Sequence, residues 1–84
     1  MNVTILTPDG TIYEGETSGV SLPGTNGSFE ILHNHAPILS SLGQGKVRIK
    51  TEGQQQYYHI EHGYVECLDN NINILVEEAE EIEN

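Results

Sequence analysis

Leu22-Pro23-Gly24-Thr25-Asn26-Gly27-Ser28-Phe29-Glu30-Ile31-Leu32-His33-Asn34-His35-Ala36-Pro37-Ile38-Leu39 is the stretch on which the fold turns. Val20 and Leu22 lead a strand into Pro23-Gly24, and the glycines at 24 and 27 bound a tight turn. Phe29 and Ile31 then point one way in a short strand. Pro37 biases Ala36 towards extended backbone, so His35-Ala36-Pro37 makes a corner. Ile38, Leu39 and Leu42 follow it, and Gly43-Gln44-Gly45 turns the chain into Lys46-Val47-Arg48-Ile49-Lys50.

The same rhythm extends both ways. Val3 and Ile5 alternate with polar neighbours before the turn at Pro8-Asp9-Gly10, and Thr11-Ile12-Tyr13-Glu14-Gly15 begins a second strand. Downstream, Glu52-Gly53-Gln54 is a turn, Tyr58 and Ile60 alternate, and Gly63 breaks the run. Val65 and Cys67, then Ile72, Ile74 and Val76, carry the inner faces of two more strands around the turn at Asp69-Asn70-Asn71. Short period-two runs with turn chemistry between them predict an all-β fold. The expected form is an antiparallel sandwich or flattened barrel of about 8–10 short strands in two sheets. The expected core is Val3, Ile5, Val20, Leu22, Phe29, Ile31, Val47, Ile49, Ile60, Val65, Ile72 and Ile74. Residues 1–76 make the single domain. Residues 77–84, with five glutamates, read as an acidic, solvated tail that is dispensable.

Composition narrows the function. With 84 residues there is room for one small core, which a permanent partner would help to stabilise. The net charge of -10 opposes nucleic-acid binding, which needs a basic face, and opposes adsorption to an anionic bilayer. A single cysteine, Cys67, rules out an intrachain disulfide and fits a reducing compartment. The N-terminus carries neither the basic residues nor the apolar run of a signal peptide, and no stretch has the length and hydropathy of a spanning helix. No direct membrane insertion is expected.

Catalysis fails on inventory. Cys67 stands at an inward strand position, which suits an inert thiol. No serine lies on a Gly-flanked elbow, and Gly24-Thr25-Asn26-Gly27 lacks the lysine and helix of a phosphate loop. No cofactor is implied. His33 and His35 deserve a metal reading: on a strand, alternate residues share a face. Gly27, five residues and His-x-His also match the first half of the metal motif of cupins. That motif needs a glutamate where this chain has Leu39 and Ser40, and its second half is missing. The plainer reading makes His35 a hydrogen-bonded corner residue and leaves His33 exposed. Lys46, Arg48 and Lys50, all the bases of the chain, alternate on one strand. They serve either as edge protection or as ion-pair partners for acids such as Glu61 or for another protein. Tyr57, Tyr58 and Tyr64 are suited to an interface.

The ordered set Leu22-Pro23-Gly24, Gly27, Asn34-His35-Ala36-Pro37 and Gly45-Lys46-Val47-Arg48-Ile49 resembles the N-terminal β-sandwich domain of the F-type ATP synthase epsilon subunit, whose mitochondrial counterpart is called delta. Gly63 and Asn70-Asn71-Ile72-Asn73-Ile74-Leu75 add to it. The resemblance implies a non-catalytic rotor subunit of the central stalk, bound to the gamma subunit and the c-ring and coupling proton translocation to ATP synthesis. It implies a peripheral position on the cytoplasmic face of a bacterial inner membrane. By position it assigns partner binding to Thr25, Asn26, Gly27, Ser28, Phe29, Glu30, His33, His35, Ala36 and Pro37. The family often has Gly at the place of Glu30, and Pro or a smaller residue at that of His33. Many members continue into a C-terminal helical hairpin that restrains ATP hydrolysis. The chain ends at Asn84, and the expectation is that the natural subunit lacks that hairpin. The competing readings are a cupin-like metal-binding barrel using His33 and His35, and an adaptor with some other protein partner.

Overall fold

The computed structural model describes residues 1–83. Among them are ten strands and no helix. The strands are β1 (Asn2–Thr7), β2 (Gly10–Glu16), β3 (Gly19–Gly24), β4 (Gly27–Leu32), β5 (Ile38–Leu42), β6 (Gly45–Thr51), β7 (Gln54–Ile60), β8 (Gly63–Leu68), β9 (Asn71–Val76) and β10 (Ala79–Ile82). Their hydrogen-bonded path runs β10-β7-β6-β3-β5-β8-β9-β1-β2, with β4 paired to β3 alone. The two expected layers are therefore one sheet folded over at β3. On one side of the fold β3 pairs with β6 at Gly19 to Ser21, and on the other it meets β5 only at Gly24↔Leu42. The result is a nearly closed sandwich. Tyr13 of β2 tilts against Tyr58 of β7, ring centroids 6.0 Å apart, where the layers meet again.

Most pairs are antiparallel, as the turns require, but β1 and β9 run parallel, with Val3↔Ile72 and Ile5↔Ile74. No hairpin turn joins them, so their relative direction is free of the constraint that a short loop imposes. The core is one cluster from both layers. It contains every expected residue except Phe29, and adds Leu42, Tyr58, Cys67 and Val76. Phe29 is half-buried because β4 is an edge strand; its ring lies over Gly24, at the rim of the core. Burial pushes the Cys67 thiol above its usual range, consistent with an unreactive sulfur.

Thr17 is the one buried polar side chain among the described residues. Its hydroxyl proton is shared between the carbonyls of Gly19, at 2.8 Å, and Lys50, at 2.7 Å, while its oxygen accepts from Gly19 N–H at 3.1 Å. This pins the β2–β3 link to β6.

Two sequence expectations need correction. Residues 79–82 are not a solvated tail: they form β10, with Ala79↔Ile60 and Ile82↔Tyr57. The strand exists because β7 offers an open edge and Ala79 can pack on the core, which outweighs local charge. Asn84 of that tail lies outside the described residues. Nor is the basic strand an edge: β6 sits between β7 and β3, so edge protection does not explain its bases.

Candidate docking surface

Thr25 and Asn26 form a two-residue turn between β3 and β4, closed by the pair Gly24↔Gly27. Gly27 has φ +127°, where a side chain is strained. The turn is also braced from outside. Thr25 Oγ1 and Ser41 Oγ are 2.8 Å apart, and Gly43 N–H donates to Pro23 O at 2.7 Å. Thr25 to Ser28 are thus exposed but held on β5 and the link that follows it.

The second predicted element lies elsewhere. His33 and Asn34 form a turn after β4, and His35, Ala36 and Pro37 run on to β5, all exposed. Asn34 has φ +65°, which asparagine tolerates. Its N–H donates to Asn70 Oδ1 at 2.7 Å, and Asn70 Nδ2 donates back to Asn34 Oδ1 at 3.2 Å. His35 N–H donates to Leu32 O at 3.1 Å, and His35 Nδ1 lies 2.6 Å from Ala36 O. So His35 is the hydrogen-bonded corner residue that the plainer reading expects. The two asparagines of the Asn34 and Asn70 runs, far apart in sequence, hold each other. Asp69 and Asn70, both at positive φ, form the tight β8–β9 turn that presents Asn70.

The structure does not merge these two elements. They occupy opposite ends of β4, separated by about 17 Å at the usual rise per strand residue. Any partner meets them as separate contacts. Glu30 is also engaged within the sandwich. Its Oε2 lies 2.9 Å from Lys50 Nζ and 3.7 Å from Arg48 Nη2. Arg48 also donates to Ser21 Oγ at 3.0 Å, and Ser21 Oγ lies 3.5 Å from Glu30 Oε2. The carboxylate on β4 thus reaches across β3 to the bases on β6. The Lys50 hydrogen bond, with the charges of Lys50 and Arg48, holds its carboxyl below the usual range despite some desolvation. The ion-pair reading of the basic strand is right in kind but not in partner. Glu61 faces His59 instead, at 3.6 Å, and Lys46 lies over the Tyr57 ring at 5.1 Å.

The metal alternative has no support. His33 sits in a turn, so strand alternation does not aim it alongside His35. Among the described residues no three of His, Cys, Asp and Glu are grouped to hold an ion.

One surface escaped the sequence reading almost entirely. The outer face of β5, β8, β9 and β1 carries Leu39 (74% exposed), Tyr64 (59%), Leu68 and Leu75. Tyr64↔Leu75 and Leu75↔Leu6 form a cross-strand row that lines, with Gly63 and Val76, an open groove of about 550 Å³. The signal was apolar residues in slots that a half-solvated strand fills with polar ones.

Comparison with known proteins accounts for the sandwich. Residues 1–82 match the family described as the ATP synthase Delta/Epsilon chain, beta-sandwich domain. The chain is 35% identical over 77 residues to the ATP synthase epsilon chain of Leptospira borgpetersenii, covering 92% of this chain and 61% of that one. It is 34% identical over 79 residues to that of Helicobacter pylori, covering 94% and 64%. It thus spans under two thirds of the length of these relatives. Among solved structures, a chain of the Euglena gracilis mitochondrial ATP synthase (OSCP, F1 and c-ring) superposes with TM-score 0.87 at 22% identity, covering 94% of this chain and 51% of that one. A chain of the Tetrahymena thermophila mitochondrial ATP synthase central stalk and c-ring gives 0.79 at 21%, covering 94% and 64%. Those two likenesses speak for the fold, and the match over residues 1–82 decides the family: the chain belongs to the ATP synthase delta/epsilon chains, through their β-sandwich domain.

Proposed function

We propose that this chain is a non-catalytic central-stalk subunit of a rotary F-type ATP synthase. It binds the gamma subunit and the c-ring and helps couple proton translocation to ATP synthesis. The observation that carries this reading is the family match along residues 1–82. The surface agrees with it. A rotor element needs stiff contact points, and both the turn at 25–28 and the corner at 33–37 are exposed loops tied to neighbouring strands. The outer face bearing Leu39, Tyr64, Leu68 and Leu75 adds an apolar area suited to a protein partner. Thr25, Asn26, Gly27 and Ser28 meet the c-ring loops, while His33, His35, Ala36 and Pro37 lie towards gamma and the ring. Phe29 and Glu30, next along β4, extend the same c-ring contact. The subunit stays on the cytoplasmic face of the membrane through its partners; among the described residues no helix is long and apolar enough to cross one.

Affinity purification of the tagged chain from its host tests the reading. Gamma and the catalytic subunits should co-purify; their absence, with a different protein recovered, would favour the adaptor alternative. Cysteine at Ser28 should cross-link to a cysteine in the c-ring loop of the assembled enzyme. An intact enzyme that never yields this cross-link would remove the turn from the docking site.

A further inference from the structure

β10 ends the sheet path and pairs only with β7. Every charged side chain in residues 77–84 is a glutamate. Glu80 stands directly opposite His59 of β7, and Glu78 and Glu61 line the same hollow with them. The imidazole Nδ1 is 3.6 Å from Glu61. From β6, Lys46 stands opposite His59, its ammonium over the Tyr57 ring. Glu81 points to the other face, opposite the inward Tyr58.

We propose that His59 is a proton-operated clasp for β10: the protonated imidazole draws Glu78 and Glu80 and seats the strand, and loss of the proton loosens it. The sign follows from which charges move. Glu61 neighbours His59 from the end of β7 whether or not β10 is seated, so it cancels from the difference. Among the described residues, the charged groups that β10 and the link before it bring to the face of His59 are both carboxylates. Seating therefore favours the imidazolium, and by linkage the imidazolium favours seating. Imidazoles gain their proton between pH 5 and 8, so the clasp tightens as pH falls through that window. The site is half-exposed, so each pair is worth a small factor, and the effect shrinks with salt. Release of β10 uncovers the backbone edge of β7, a template for another strand.

Amide hydrogen exchange by NMR tests this on the chain as it stands, with protection factors corrected for intrinsic exchange. Between pH 5.5 and 8 at low salt, protection at residues 79–82 should fall about two- to fivefold as pH rises. Protection in β1 and β9 should not follow it. His59→Gln should abolish the dependence and leave β10 seated at the level seen at pH 8. His62 is the neighbouring imidazole and shares its groove with Glu77, so persistence of the slope in His59→Gln would overturn the assignment. A flat wild-type profile, or one in which β1 and β9 move in step with β10, would overturn the clasp itself. Should His59→Gln not fold, Glu80→Gln decides: a reduced slope supports the clasp and an unchanged slope refutes it.

Discussion

Replacing Gly63 by alanine should be among the most damaging single-methyl changes this fold can suffer. Gly63 opens β8 and faces Val76 of β9, and it is buried. A Cβ there would lie 2.3 Å from Leu75 O and 2.6 Å from Val76 Cγ1. Real Cβ contacts stay beyond 3.0 Å, so the two strands must part locally by about 0.7 Å. The obstacle at Leu75 is backbone, which cannot rotate away as a flexible side chain would. Forcing extra volume into a packed site costs about 1–3 kcal/mol. Stretching the adjoining ladder bonds adds about 0.5–1.5 kcal/mol for each bond weakened. The loss of unfolded-state entropy on going from Gly to Ala returns only about 0.4–1 kcal/mol. The net expectation is a loss of about 2–4 kcal/mol, or about 10–30 °C in melting temperature for a domain of this size. Gly43→Ala is the control. At Gly43 a Cβ meets nothing nearer than 3.9 Å and φ is not in the positive region, so stability should stay within about 1 kcal/mol. Urea and thermal unfolding followed by far-UV circular dichroism measure both. If Gly63→Ala melts within 3 °C or so of the parent, the close-approach argument is wrong.

Other outcomes follow from the same reasoning. Thr17→Val keeps the shape but takes the hydroxyl partner from Gly19 N–H and a donor from the carbonyls of Gly19 and Lys50, the latter still accepting from Ser18 N–H, and should cost about 1–3 kcal/mol by urea unfolding. Ile74→Ala, fully buried between Ile5 and Val65, should cost about 2–5 kcal/mol, and a loss under 1 kcal/mol would mean the site collapses freely. Glu30 has a lowered pKa, so its stabilising effect is complete above the ordinary glutamate value near 4.3 and is lost as pH falls below it through the lowered value. The stability gap between the parent and Glu30→Gln should therefore close in that acidic window; a gap that stays constant with pH would show that the ion pairs contribute nothing. Removing residues 78–84 should cost stability through loss of β10, measurable by the same unfolding curves, whereas a solvated tail would cost none.

What could be read without coordinates was whatever one strand states by itself. Val3 and Ile5, or Ile72 and Ile74, announce a buried face because the core lies on one side and the side-chain period is two. The exposed turn at 25–28 was legible from its bounding glycines. Relations between strands were not. Nothing in Glu80 or Glu81 signals a strand, since β10 is conferred by the free edge of β7. Glu30 finds Lys50 only because β4 and β6 flank β3, an adjacency that no local pattern encodes. Asn34 and Asn70 each read as turn residues, and only the folded chain makes them partners.

The parallel pairing of β1 with β9 also sets a clock on how the molecule is made. β2 follows β1 after a short turn and can zip onto one side of it at once. The other side waits for Asn71–Val76, near the opposite end of the chain. At about 5–20 residues per second, translation leaves Val3 and Ile5 without their β9 neighbours for several seconds. Non-local closure of this kind also belongs to the slower folding topologies, in the millisecond-to-second range. A nascent chain stalled before residue 71 would hold an open, apolar strand edge, so this sandwich can be completed only as one act, when nearly all of it has been synthesised.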